Sequence, residues 1–192
     1  MSATKLNVGN QGVLLLGGTP LTSWDEGGKT KRAIDIYWGT SYRATLSAHR
    51  WHFATKRALL NPLSDPPVGA EWSHQFELPN DCLKVQMLSP DGESPIAKDD
   101  WKREGRQLLA NAESLILIYT SECPVGEIDA TFEQALAAQL AYQMAHFLTG
   151  STSKSRDMFA LYQERLDAAK VENGVEQTTQ PTYTSQLLQV RR

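Results

Sequence analysis

The chain of 192 residues has only two cysteines, Cys82 and Cys123, set 41 positions apart and outside any CxxC or Cys/His pattern. A disulfide framework and a zinc cluster are both excluded by that count, and two free thiols are expected. Long hydrophobic runs are missing too. Runs such as Val13 to Leu16 are far too short to span a bilayer, so no membrane partner is expected. Nor does the N-terminus show the cationic, apolar and small-residue order of a signal peptide, which predicts a soluble chain made in the cytoplasm. Charge of one sign is also scarce: 19 Lys and Arg against 22 Asp and Glu leave a net −3, too balanced for a surface wholly given to nucleic acid.

What is present is an average globular composition, 41% hydrophobic and 21% charged, long enough for one domain with a real core. Lys5 to Leu16 reads as a short helix or a strand, ended by Gly17-Gly18-Thr19-Pro20. From Lys31 onward, Ile34, Tyr37, Trp38, Ser41, Ala44, Ala48, Trp51, Thr55 and Ala58 recur at helical steps, which predicts one long helix, with Gly39 a possible break. Pro62, Pro66, Pro67 and Gly69 make residues 61–73 an extended crossover. A β region follows: Phe76 and Leu78, then Leu83, Val85 and Met87, alternate with polar neighbours; 101–110 folds back at Glu104-Gly105; and 115–119 reads as a strand covered on both faces. Asp129 is the expected N-cap of a helix to Leu148, with Ala137, Ala141 and Ala145 a smooth stripe for close approach of another helix. Gly150 suits its C-terminal end, Ser151 or Ser153 caps the next helix, and Asn173-Gly174 ends that one.

The expected fold is α+β, mainly a helical bundle with an inserted small antiparallel β-sheet. Residues 1–174 form a single domain, with helical parts 1–60 and 129–174 and the β insertion at about 74–120, and 175–192 are a flexible C-terminal docking tail.

Catalytic and ligand signals are weak. Glu26-Gly27-Gly28-Lys29-Thr30 imitates a phosphate loop, but Ser23 stands where its first glycine belongs. His49 and His52 lack third and fourth metal ligands, since no carboxylate lies between Asp35 and Asp65, and no metal or cofactor is expected. There is no Gly-x-Ser-x-Gly elbow. The carboxylates Asp99, Asp100 and Glu104, or Glu122 and Glu127, are the candidates of an alternative reading, a tail-associated glycan hydrolase. Arg43, Arg50 and Arg57 are spaced by seven, drifting only about 20° per heptad on a helix. Leu46, Phe53 and Leu60 keep the same period. The stripe is either a solvated face or, with Arg43, Arg50, Phe53 and Arg57 at its centre, a subunit seam; duplex-DNA binding by the stripe is a third reading. Tyr183, Leu187, Leu188, Val190, Arg191 and Arg192 follow a polar linker and read as a docking segment, or as an end folded onto its own domain.

Four blocks in order carry a resemblance. They are His49-Arg50-Trp51-His52-Phe53-Ala54-Thr55-Lys56-Arg57-Ala58-Leu59, Phe76 to Val85, Glu104 to Leu109 with Leu115 to Tyr119, and Phe132 to Ser151. Together they resemble the tail tubular protein A family of short-tailed bacteriophages, the head-to-tail adaptors, over about residues 40–170. Arg50 and His52 depart from that family's proline and asparagine. The resemblance implies a virion structural protein of the tail or neck with no enzymatic activity. Its partners would be copies of itself in a twelve-subunit ring, the portal protein above, reached partly through the C-terminal segment, and the next tail component (nozzle or stopper) below. Double-stranded DNA would pass through unread.

Overall fold

The structure is a computed structural model that describes residues 4–69, 71–92 and 94–177. Four helices, α1 (Lys5–Leu15), α2 (Lys29–Ser47), α3 (Ala130–Thr149) and α4 (Thr152–Gln177), frame six strands: β1 (Thr55–Leu60), β2 (His74–Glu77), β3 (Cys82–Ser89), β4 (Trp101–Glu104), β5 (Gln107–Ala110) and β6 (Leu115–Ser121). The architecture is α+β, as expected, with the insertion resolved into two three-stranded antiparallel sheets ordered β1-β6-β3 and β2-β5-β4.

The N-terminal segment, open between helix and strand in sequence, is helical: Thr4 caps it, accepting the Asn7 N–H at 3.2 Å. α3 packs against all three other helices. Its composition explains how, because the run Ala135 to Ala141 is entirely buried and mostly alanine, and small side chains admit neighbours on every side. On one flank Gly12 of α1 comes so close that a Cβ there would sit 3.0 Å from the Ala137 carbonyl oxygen and 3.4 Å from the Ala141 nitrogen. The alanine stripe is therefore filled from within the chain. Gly150 ends α3 with φ 69°, a left-handed position that favours glycine, and the Ser151 hydroxyl accepts the Lys154 N–H at 3.3 Å to start α4.

The helix predicted from Lys31 through Ala58 is the main correction. α2 passes unbroken through Gly39 but stops at Ser47, and Thr55–Leu60, assigned to the helical part, is a strand. Neither glycine nor proline marks the stop. Instead the Trp51 indole turns back and donates to the Thr45 carbonyl at 3.1 Å, while Lys84 Nζ of β3 donates to the Ser47 carbonyl at 3.3 Å. These are the orphan acceptors of a helix C-terminus, satisfied by groups outside the helix. Thr-Lys-Arg-Ala-Leu-Leu then pairs with β6 from Thr55↔Thr120 to Leu60↔Leu115, so ladder pairing overrides a locally helical composition.

Two apolar clusters result. One fills the bundle and takes in Trp51, Ala54 and Phe132; the other lies between the sheets and holds Leu60, Phe76, Leu88, Leu108, Leu115, Leu117 and Tyr119. β6, central in its sheet, is buried along almost its whole length, as expected of a strand covered on both faces. α4 continues past Asn173 and Gly174 to Gln177, so the helix end placed at those two residues moves outward, and residues 175–177, read as the start of a tail, are helical.

Candidate subunit interface

With α2 ending at Ser47, Arg43, Arg50 and Arg57 do not share a helix face. Arg43 is on α2, Arg50 in the turn that follows, and Arg57 on β1. Arg43 is spent on an exposed ion pair with Glu122 at 3.4 Å, worth about 0–1 kcal/mol. Phe53 turns inward, its ring 5.0 Å from Phe132 and 6.0 Å from Trp51, and belongs to the aromatic core that also holds Tyr42 against Phe132. Leu46 and Leu60 separate as well, into the bundle and the β core respectively.

Arg50 and Arg57, by contrast, meet. They line an open concavity of about 410 Å³ together with His52, Thr55, Gln86 and Ile118. Strand alternation accounts for this. Leu115, Leu117 and Tyr119 point into the β core, so Ile116, Ile118 and Thr120 face away from it, with Leu59, Arg57 and Thr55 opposite them on β1. Met87 and Lys84 of β3 stand opposite Ile118 and Thr120 on the other side. Gln86 ties the floor together: Nε2 donates to Thr120 Oγ1 at 2.8 Å and Thr55 Oγ1 at 3.3 Å, while Oε1 accepts from Arg50 Nε at 3.0 Å. Arg50 is thereby held through Nε, and among the described residues its terminal nitrogens make no hydrogen bond.

Among the described residues, neither Arg50 nor Arg57 has a carboxylate partner. Lys56, between them in sequence terms and facing the opposite side of the sheet, contrasts sharply. Its ammonium is 2.8 Å from Asp81, which also accepts from the Tyr119 hydroxyl at 3.0 Å. Lys56 holds the Asp81 carboxyl below the usual carboxylate range, while burial and Asp81 push the Tyr119 phenol up to about 12. The outer face of this sheet thus combines unneutralised guanidinium groups with apolar surface, including Leu59 at 64% exposure. Such a mixture matches the centre of a protein–protein contact.

The turn carrying Arg50 is positioned from α4. Asn173, only 4% exposed, accepts the His52 N–H through Oδ1 at 3.0 Å and donates through Nδ2 to the Arg50 carbonyl at 3.0 Å and to His49 Nε2 at 3.2 Å. Nothing in the sequence distinguished Asn173 from an ordinary helix stop, and Gln86 had no motif around it.

The other sequence candidates are placed as follows. His49 and His52 flank Asn173, and no group of three or more potential metal ligands occurs among the described residues. Lys29 opens α2, but its ammonium lies 5.1 Å over the Phe147 ring, turned away from Gly27-Gly28. Glu104 pairs with Lys102 at 2.9 Å and Glu122 with Arg43, both solvent-facing. Cys82 and Cys123 are buried free thiols. Tyr183, Leu187, Leu188, Val190, Arg191 and Arg192 lie outside the described residues. No helix is long and apolar enough to cross a membrane among the described residues. The chain matches no family model and no curated protein.

Proposed function

We propose that this chain is a structural head-to-tail adaptor of a bacteriophage virion, a ring-forming subunit that joins the portal to the tail and lets double-stranded DNA pass. The observation that carries the reading is the face around Arg50 and Arg57: cationic, edged by Leu59 and Ile118, with Arg50 held by Gln86, and with no carboxylate paired to either arginine among the described residues. A guanidinium group held in place, as Arg50 is by Gln86, and without a carboxylate partner among the described residues is one that a partner completes. A ring needs a head-to-tail contact, in which two different patches of the chain meet. The seam first placed on Arg43, Arg50, Phe53 and Arg57 reduces in this reading to Arg50 and Arg57. The four sequence blocks shared with the tail tubular protein A family support the same assignment.

The C-terminal residues Tyr183 to Arg192 are assigned to portal docking. Electron microscopy of the protein mixed with its portal tests the reading: a dodecameric ring seated on the portal is the expected result, and a protein that leaves the portal bare overturns it. Deleting residues 183–192 should leave the fold intact and remove portal binding.

A further inference from the structure

The two sheets share one apolar core between them, so their outer faces point in opposite directions. Those faces differ in charge. The outer face of β1-β6-β3 presents Arg50, Arg57 and Lys84. In the other sheet, Phe76, Leu108 and Ala110 point inward, which sends Glu77 of β2 outward together with Lys102 and Glu104 of β4, the last two joined in an ion pair at 2.9 Å.

The crossover between β1 and β2 is fastened beside that face: Leu63 N–H donates to the Gln75 carbonyl at 2.8 Å, and Gln75 Nε2 donates to the Asp65 carbonyl at 2.8 Å. It adds two exposed carboxylates, Asp65 and Glu71, and two exposed apolar side chains, Leu63 at 38% and Val68 fully exposed. Pro62, Pro66 and Pro67 stiffen it, which lowers the entropy lost when it is held by a partner.

We infer that the Arg50/Arg57 concavity receives the crossover of a second copy of this chain through Asp65, Val68 and Glu71, with the two carboxylates facing the guanidinium groups and Val68 against Leu59 beside Ile118. The complementarity is twofold. Among the described residues, two guanidinium groups with no carboxylate partner meet Asp65, which has no ion pair, and Glu71, which feels Lys102 but forms no ion pair with it, and an exposed apolar tip meets a rim in which Leu59 is exposed. Because the two patches lie on opposite faces of the β module, the contact is head-to-tail and leaves one copy with a free crossover and the other with a free concavity. A polyphosphate partner would use the arginines but would leave Leu59 and Val68 exposed. The inference rests on the ring reading above and names its seam.

Charge exchange tests it in the full-length chain. Self-association is followed by sedimentation velocity over a concentration series at low and high salt, with circular dichroism confirming that each variant is folded. Wild type should associate more weakly as salt rises. Arg50→Glu with Arg57→Glu, and separately Asp65→Lys with Glu71→Lys, should each weaken association by about tenfold or more. The variant carrying all four changes should recover most of the loss, and Val68→Asp should weaken association without altering the fold. Wild type that stays monomeric at every concentration, double variants that associate like wild type, or a fourfold variant with no recovery overturns the seam.

The ring reading is separable by microscopy. Rings formed on the portal by the Arg50→Glu, Arg57→Glu variant sink this seam and keep the ring. Open filaments of wild type that respond to the charge exchange as described keep the seam and sink the closed ring.

Discussion

Asn173 holds His52 at both ends: its side-chain Oδ1 takes the His52 backbone N–H at 3.0 Å, and its own backbone carbonyl lies 2.6 Å from His52 Nε2. The remaining amide nitrogen goes to the Arg50 carbonyl and to His49. Two backbone partners, one a donor and one an acceptor, leave the amide a single orientation. His49 Nε2 must therefore accept, which makes His49 neutral with its proton on Nδ1. His52 Nε2, facing a carbonyl, must donate.

Asn173→Ala should destabilise the protein by about 1–3 kcal/mol, because the His52 N–H and Arg50 carbonyl lose their partner in a half-buried site. A shift of the urea midpoint with an unchanged slope is the expected readout. A midpoint like that of wild type would show that the clamp contributes nothing.

Burial is the largest cause pushing the His49 pKa below its ordinary 6.5, followed by the charges of Lys170, His52 and Arg50. The unfolded chain therefore takes up this proton first. Stability should fall as pH drops through about 6.5 and level off once the lowered folded value is passed. His49→Gln should flatten the slope in that window. Asn173→Asp should reverse its sign, since a carboxylate beside His49 favours the protonated ring. Denaturation midpoints measured across the window decide both.

Phe53 and Arg57 should behave in opposite ways. Truncating Phe53 to Ala removes a ring stacked among Trp51 and Phe132 and should cost several kcal/mol, at most the ~3–5 typical of a fully buried phenylalanine. Arg57→Ala, on an exposed strand face, should change stability by no more than about 0.5 kcal/mol. Under the proposed function only Arg57→Ala reduces ring yield on the portal at equal folded concentration. Equal yields for Arg57→Ala and wild type would count against that face.

Gly12→Ala probes the α1–α3 contact. The added methyl would meet Ala137 backbone oxygen at 3.0 Å, so the helices must move apart, at a cost of about 1–3 kcal/mol. Thermal unfolding reads this directly. An unshifted midpoint would mean that α1 yields freely.

Local chemistry wrote much of this fold into the chain. The Ala137, Ala141 and Ala145 stripe, the Gly150 stop, the Ser151 cap, the alternating strands and the turn at Glu104-Gly105 each depend on residues within a few positions of one another, so their signals survive in sequence. The end of α2 did not. It is set by Trp51 folding back on Thr45 and by Lys84 arriving from β3, while Thr55–Leu60 becomes a strand because β6 offers it a ladder. A seven-residue spacing of arginines has meaning only on a continuous helix, so the stripe dissolved with the helix. Tertiary structure then gave two of its members a different relation: strand alternation, Gln86 and the Asn173 clamp set Arg50 and Arg57 around one concavity, by contacts between residues 31 to 124 positions apart that no local pattern encodes.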